Sequence, residues 1–194
     1  MNGPVPCRWW AMSRKTITLE QIILFLLETP MFEGLSAGEL SEIVHIMQIR
    51  RLRDGQALFA EGDEGDAWYV VFEGQLSVTQ GDELGPARPV AELGPRACVG
   101  EMAVLDGSQR SASVAARGET TVFRFPRFEF EGLLAEDNLA AYRLVHEMAK
   151  VLCQRQRRLT SQLTDLMRSC ACEGGEQVLR SELEPIVRVH KLSE

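Results

Sequence analysis

Short β-prone runs separated by turn-forming pairs fill residues 49–125, and this rhythm constrains the fold more than any other feature of the chain. The β-prone runs are 49–52, 57–59, 68–72, 75–78, 89–93, 113–116 and 120–125. Turn pairs such as Asp54-Gly55, Gly65-Asp66, Glu73-Gly74 and Gly94-Pro95 recur between them about every 8 to 12 residues, as in antiparallel sandwiches and barrels. Because no helical crossover separates the runs, we predict a mainly β fold built as an antiparallel jelly-roll-like barrel, a double-stranded β-helix.

Helical patterns flank the β-prone region on both sides. Apolar residues cluster at helical spacing in 18–27, and a second helix follows Pro30, starting from the capping box Ser36-Ala37-Gly38-Glu39 and running to about Gln48. Past Pro126 the helical period returns in 128–134 and then in a long segment from about 138 to 169. We therefore expect N-terminal helices, the barrel and a long C-terminal helix, in that order.

The long helix carries a partly apolar seam. Its apolar residues at three- and four-residue spacing are Val145, Met148, Leu152, Leu159 and Leu166. Arg155 and Gln162 stand where a coiled-coil seam requires apolar side chains. We expect a homodimer through this helix, with the alternative that the helix folds back on the barrel.

The patterns divide the chain into four parts. We expect a flexible leader at 1–15, a domain with its N-terminal helices at 16–136, the long helix at 137–169 and a tail at 170–194. Few residues remain after the long helix, and chains under about 40 residues rarely fold alone. We therefore expect no helix-turn-helix or other second domain.

Composition excludes several classes of protein. The net charge of -7, from 28 acidic and 21 basic residues, disfavours binding to nucleic acid, as does the absence of a recognition helix near the arginines of 155–168. Five irregularly spaced cysteines fit a reducing cytoplasm, and Cys170 with Cys172 falls short of a four-ligand metal site.

The apolar run 22–27 is too short to cross a membrane. No nucleophile, base and orienting group recur at plausible spacing, so we expect no enzyme.

The segment 98–114 breaks the strand pattern and carries candidate binding chemistry. Gly100 allows a ligand to approach the backbone, and the helix formers after it place the first amides of a helical turn where they can meet an anion. Arg110, after a loop, supplies a positive charge and a planar fork suited to phosphate oxygens. The two parts together favour an anion site.

Glu101 is unexpected beside an anion. An ionised carboxylate only accepts hydrogen bonds, so a ligand that carries a hydroxyl next to a singly charged phosphate would satisfy Glu101 and Arg110 together. The alternative is a surface ion pair between Glu101 and Arg110, worth about 0 to 1 kcal/mol, with no ligand. Spacing alone leaves both interpretations open.

The stretch GEMAVLDGSQRSASV resembles the phosphate-binding cassette of the cyclic nucleotide-binding domain family, of the catabolite activator protein and protein kinase A regulatory subunit type. The family pattern falls on Gly100, Glu101, Met102, Ala103, Arg110, Ser111 and Ala112. The resemblance extends upstream through PMFEGLSAGEL, DGQALFAEGDEGDAWYVVFEGQLSV and ELGP, in order. Val99 and Gln109 depart from the family, which usually has an aromatic residue and often proline there.

The resemblance implies a role for each matching residue. Amides from Gly100 to Ala103 and the Arg110 side chain would hold the cyclic phosphate, Glu101 the ribose hydroxyl, and Ser111 a further phosphate or base contact. Ser111 favours cyclic AMP over cyclic GMP.

The resemblance also implies how such a module acts. The base would be capped from the long helix, where Arg155, Gln156 and Leu159 are candidates. We expect a cyclic nucleotide sensor without a catalytic cofactor, acting on an effector protein by moving this helix. The alternative is a degenerate fold of this family that binds other proteins without nucleotide.

Overall fold

The computed structural model of the protein describes residues 17–82 and 85–171. The predicted leader lies outside this range, and so does the predicted tail beyond position 171. Contacts divide the chain into two units, one ending at Glu147 and the other beginning at Met148.

Within residues 17–82 and 85–171, the β-prone runs form six strands. They are β1 (Gln48–Leu52), β2 (Ala57–Phe59), β3 (Ala67–Asp82), β4 (Gly85–Leu93), β5 (Cys98–Val99) and β6 (Ser113–Pro126). All strand pairs are antiparallel. The predicted mainly β, antiparallel fold with flanking helices is confirmed.

The long strands β3 and β6 hold the sheet together. They pair with each other along most of their length. β6 also pairs with β2 near its start and with β1 near its end, while β3 pairs with β5 and then with β4. Each long strand therefore has one outer neighbour near its start and a different one near its end. This change of partner curls the sheet into the jelly-roll-like form.

The predicted turn at Glu73-Gly74 is wrong, because β3 runs through it as one continuous strand. The pairing with β6 shifts register on both sides of Glu73, as at a β-bulge. Gly74 has φ +90°, and a β-carbon there would lie 2.5 Å from the Glu119 carbonyl oxygen. From sequence alone, a glycine between two β-prone runs predicts a turn. In the sheet, Gly74 instead lies at a bend of one continuous strand.

The helices lie near their predicted positions, except at the end of the second one. They are α1 (Leu19–Leu27), α2 (Ala37–Val44), α3 (Glu101–Asp106), α4 (Arg127–Ala135) and α5 (Leu139–Ala171), with a 3-10 turn at Pro30–Phe32. The capping box of Ser36 and Glu39 is confirmed. The predicted extension of α2 to Gln48 is wrong, since Gln48 already begins β1.

The two faces of β3 bury side chains in different layers. Tyr69, Val71 and Leu76 lie in the interior cluster of the barrel. On the opposite face Trp68 stacks on Phe125 of the neighbouring strand β6 with ring centroids 4.8 Å apart, and its ring meets Phe130 of α4 edge-on at 4.7 Å. Burying both faces explains why the run at 68–72 is continuously apolar and aromatic instead of alternating.

In the second unit, α5 leaves part of the predicted seam exposed. Leu159 and Leu166 of that seam are 61% and 64% exposed. None of the helices in the described ranges combines the length and the apolar character that a bilayer crossing requires.

Candidate ligand-binding site

Two glycines in the left-handed conformation bracket α3. Gly100 precedes the helix with φ 80° and ψ 7°, and Gly107 ends it with φ 73° and ψ 8°. The short strand β5 leads into Gly100 and pairs with Tyr69 and Val70 of β3. This pairing places the start of α3 beside the start of β3.

Backbone hydrogen bonds fix Arg110 at the end of the following loop. Its N–H donates to the Asp63 carbonyl oxygen at 2.8 Å, and its own carbonyl oxygen accepts from the Gly62 N–H at 2.9 Å. A β-bridge between Glu64 and Gln109 continues this pairing. Residues 62–64 therefore determine where the Arg110 side chain starts.

The Arg110 side chain is buried and held at several atoms. Nη1 donates to the Gly100 carbonyl oxygen at 2.8 Å, and Nη2 donates to the Ala67 carbonyl oxygen at 2.6 Å and to Asp66 Oδ1 at 3.0 Å. The guanidinium carbon lies 4.2 Å from the centroid of the Phe59 ring. Such contacts favour a cation in this position.

One donor of Arg110 is left over. Arg110 is only 3% exposed, yet no acceptor among the described residues bonds to its Nε. An unsatisfied buried donor costs about 1 to 3 kcal/mol, and more for a charged group. A buried cation with a spare donor is chemically suited to receive an anion.

Glu101 is buried as well, at 3% exposed. The alternative of a surface ion pair between Glu101 and Arg110 is therefore wrong, since neither side chain lies at the surface. A buried carboxylate requires compensating partners.

The other predicted site residues lie on α3 and just before β6. Ala103 is buried against Gly65, where an added β-carbon would lie 2.6 Å from the Ala103 Cβ, whereas Met102 is 51% exposed. Ser111 is exposed and Ala112 half-buried just before β6. The structure thus brings Gly100 and Arg110 into direct contact and seats α3 closely on Gly65.

Sequence reasoning missed three side chains of this site. Asp66 and Phe59 contact Arg110, and Arg124 contacts Asp66 through Nη2 to Oδ2 at 2.8 Å. Partial burial acts to raise the pKa of Asp66, but the hydrogen bonds and charges of Arg124 and Arg110 outweigh it, so this pKa lies below its ordinary value. Phe59 and Asp66 lie in the upstream stretch that resembles the family, but the resemblance gave them no role, and the pair Gly65-Asp66 predicted only a turn.

Comparisons with known proteins identify the family to which this chain belongs. The family model for the cyclic nucleotide-binding domain matches residues 49–137. The chain is 32% identical over 172 residues to the cyclic AMP receptor protein of Thermus thermophilus, covering 85% of this chain and 77% of that protein. The chain belongs to the cyclic nucleotide-binding domain family.

Two further likenesses extend this result. The chain is 31% identical over 126 residues to a cAMP-dependent protein kinase regulatory subunit of Mycosarcoma maydis, covering 59% of this chain but 23% of that protein. The crystal structure of the Thermus thermophilus catabolite activator protein superposes with a TM-score of 0.62 at 31% identity, covering 71% of this chain and 62% of that one. These relatives are by name a receptor, a kinase regulatory subunit and an activator.

Among the described side chains, no group of three or more histidine, cysteine, aspartate or glutamate residues could hold a metal ion.

Proposed function

We propose that this chain is a regulatory module that binds a cyclic nucleotide, cyclic AMP in preference to cyclic GMP, through residues 100–103 and 110–112. The observation that carries the proposal is the Arg110 side chain, which is buried, aligned by three hydrogen bonds and left with a spare Nε donor. A singly charged cyclic phosphate supplies the missing acceptor and the compensating charge.

Glu101 supports a nucleotide over a simple anion. Its carboxylate repels a bare phosphate that lies close to it, but it accepts a hydrogen bond from a hydroxyl. A ribose 2′-hydroxyl next to the cyclic phosphate provides that donor. The combination of Glu101 and Arg110 therefore selects a ligand that carries both groups.

Two observations support cyclic AMP as the nucleotide. Position 111 is serine, whereas threonine at this place often accompanies a preference for cyclic GMP in the family. Both curated relatives described above carry cyclic AMP in their names.

The long helix α5 transmits the signal in this proposal. Leu159 and Leu166 of the predicted seam lie seven residues apart and are exposed in the second unit, as a dimer seam requires. The module acts in the cytoplasm, as the irregular cysteines indicate, on an effector protein. Replacing Leu159 and Leu166 by serine should convert a dimer to a monomer in sedimentation experiments, and an unchanged mass would contradict the seam.

Isothermal titration calorimetry of the full chain with cyclic AMP and cyclic GMP tests the binding. We expect saturable heat with both and tighter binding of cyclic AMP, and a large loss of affinity for both nucleotides in Arg110→Ala. The absence of saturable heat at millimolar nucleotide would overturn the proposal in favour of a degenerate module that binds proteins alone. Tighter binding of cyclic GMP would overturn the stated preference only.

A further inference from the structure

We propose that Arg124 is a positioning residue for Arg110: by holding and neutralising Asp66, it keeps the charge of Arg110 available to the phosphate. This inference rests on the proposed nucleotide binding and adds a residue that lies outside the 100–112 segment.

The carboxylate of Asp66 is shared between two arginines. Oδ1 accepts from Nη2 of Arg110 at 3.0 Å, and Oδ2 accepts from Nη2 of Arg124 at 2.8 Å. Each oxygen therefore serves one guanidinium. This arrangement fixes the rotation of the carboxylate and leaves Arg110 only one of its two oxygens.

Arg124 is itself held from both sides of its strand. It lies on β6 opposite Gln48 of β1 and Tyr69 of β3. Its Nη1 donates to Oε1 of Gln48 at 3.0 Å, and its side chain is 18% exposed. The guanidinium is thus positioned before any ligand arrives, which lowers the entropy cost of holding Asp66.

The balance of charge shows why the anion site needs this second arginine. Arg110 and Arg124 together offset the charges of Asp66 and the buried Glu101. Without Arg124 these groups carry one net negative charge before a phosphate binds. The preceding segment adds acidic side chains at Glu61, Asp63 and Glu64, which raises the repulsion further.

Loss of Arg124 would also change the geometry. Asp66 could then turn both oxygens toward Arg110, since arginine and carboxylate favour a two-point pair. Arg110 would then be neutralised by Asp66 and would attract phosphate less. Asp66 thus competes with the ligand unless Arg124 restrains it.

Arg117 offers a matched control on the same strand. It forms an ion pair with Glu92, and its side chain is 60% exposed. Its replacement removes an arginine and an ion pair from β6 without contact to Asp66. A difference between the two positions therefore reports the site and not the strand.

A double-mutant cycle measured by calorimetry with cyclic AMP tests the inference. The full-length proteins are wild type, Arg124→Gln, Arg117→Gln, Asp66→Asn and the double variant Asp66→Asn with Arg124→Gln. We expect Arg124→Gln to raise the Kd about tenfold and Arg117→Gln to change it less than about twofold. In the Asp66→Asn background, Arg124→Gln should change the Kd less than about twofold, because the carboxylate on which it acts is gone.

The outcomes separate this inference from the proposed function. A wild type that binds, with an equal loss from Arg124→Gln in both backgrounds, would overturn the role through Asp66. So would an unchanged Kd in Arg124→Gln. A wild type that binds neither nucleotide would overturn the proposed function and this inference together.

Two further variants guard against a folding defect. Arg124→Lys keeps the charge and should restore most of the affinity lost in Arg124→Gln, which a role in sheet packing alone does not predict. If Arg124→Gln does not fold by circular dichroism, Arg124→Met keeps the apolar stem and serves in the same cycle. A loss in Arg124→Met that is equal in both backgrounds would again overturn the inference.

Discussion

The guanidinium of Arg110 fills the space that a side chain on Gly100 would need: a β-carbon on Gly100 would lie 2.5 Å from Nη1 of Arg110. The same nitrogen donates to the Gly100 carbonyl oxygen. Gly100 therefore does more than provide a left-handed φ. The missing side chain makes room for the guanidinium, and the carbonyl group orients it.

Replacing Gly100 by alanine should weaken cyclic AMP binding at least about tenfold, because the new methyl group displaces the guanidinium. Gly107→Ala is the matched control, since Gly107 also has a left-handed φ but an added β-carbon there would lie 3.7 Å from Nη2 of Arg127, an ordinary van der Waals contact. Both variants carry the backbone strain, about 1 to 3 kcal/mol in each. Calorimetry should show the large loss of affinity in Gly100→Ala alone, and equal losses would show that strain is the whole effect.

Replacing Arg110 by alanine should cost about 2 to 5 kcal/mol of cyclic AMP affinity, the range for truncating one member of a buried charge pair. Arg110→Lys should bind more weakly than wild type, because a lysine keeps the charge but loses the planar fork. Calorimetry measures the affinity of both variants for cyclic AMP. An affinity in Arg110→Ala equal to that of wild type would place the phosphate elsewhere.

Replacing Glu101 by glutamine should distinguish ribose from deoxyribose. Hydrogen bonds to charged acceptors are stronger than those to neutral ones, so we expect a loss of about fivefold for cyclic AMP. The 2′-deoxy analogue lacks the hydroxyl and should lose no affinity in the variant. A competition assay with both nucleotides measures this, and equal losses for both would remove the ribose contact from Glu101.

The Asp66 carboxyl should make the folded state sensitive to acid. Its pKa is below the ordinary 3.8 because Arg124 and Arg110 outweigh the effect of partial burial. A lowered folded pKa means that the carboxylate stabilises the fold above pH 3.8, and that this contribution is lost as the pH falls through the lowered folded value. Urea unfolding of wild type and Asp66→Asn between pH 6 and pH 3 should show the difference in free energy shrink toward the acid end.

A difference for Asp66→Asn that grows as the pH falls would reverse the sign and contradict the ion pairs.

Local patterns were sufficient for most of the fold. The capping box at Ser36, the strand at 57–59 and the one-turn helix after Gly100 were predictable from residues close in sequence. The bend at Gly74 was not, because a glycine between β-prone runs signals a turn and a bulge equally well. The partner strand decides between the two, and that strand lies more than 40 residues away.

For the site, the sequence by itself determined which residue types are present in the segment Gly100–Ala112, and that they match one family. It left open whether Glu101 and Arg110 meet at the surface or are buried. Tertiary structure decided that both are buried, and that Asp66, Phe59 and Arg124 complete the environment of Arg110. The physical reason is that burial and charge compensation depend on strand pairing between β1, β3 and β6, which joins residues with no shared local pattern.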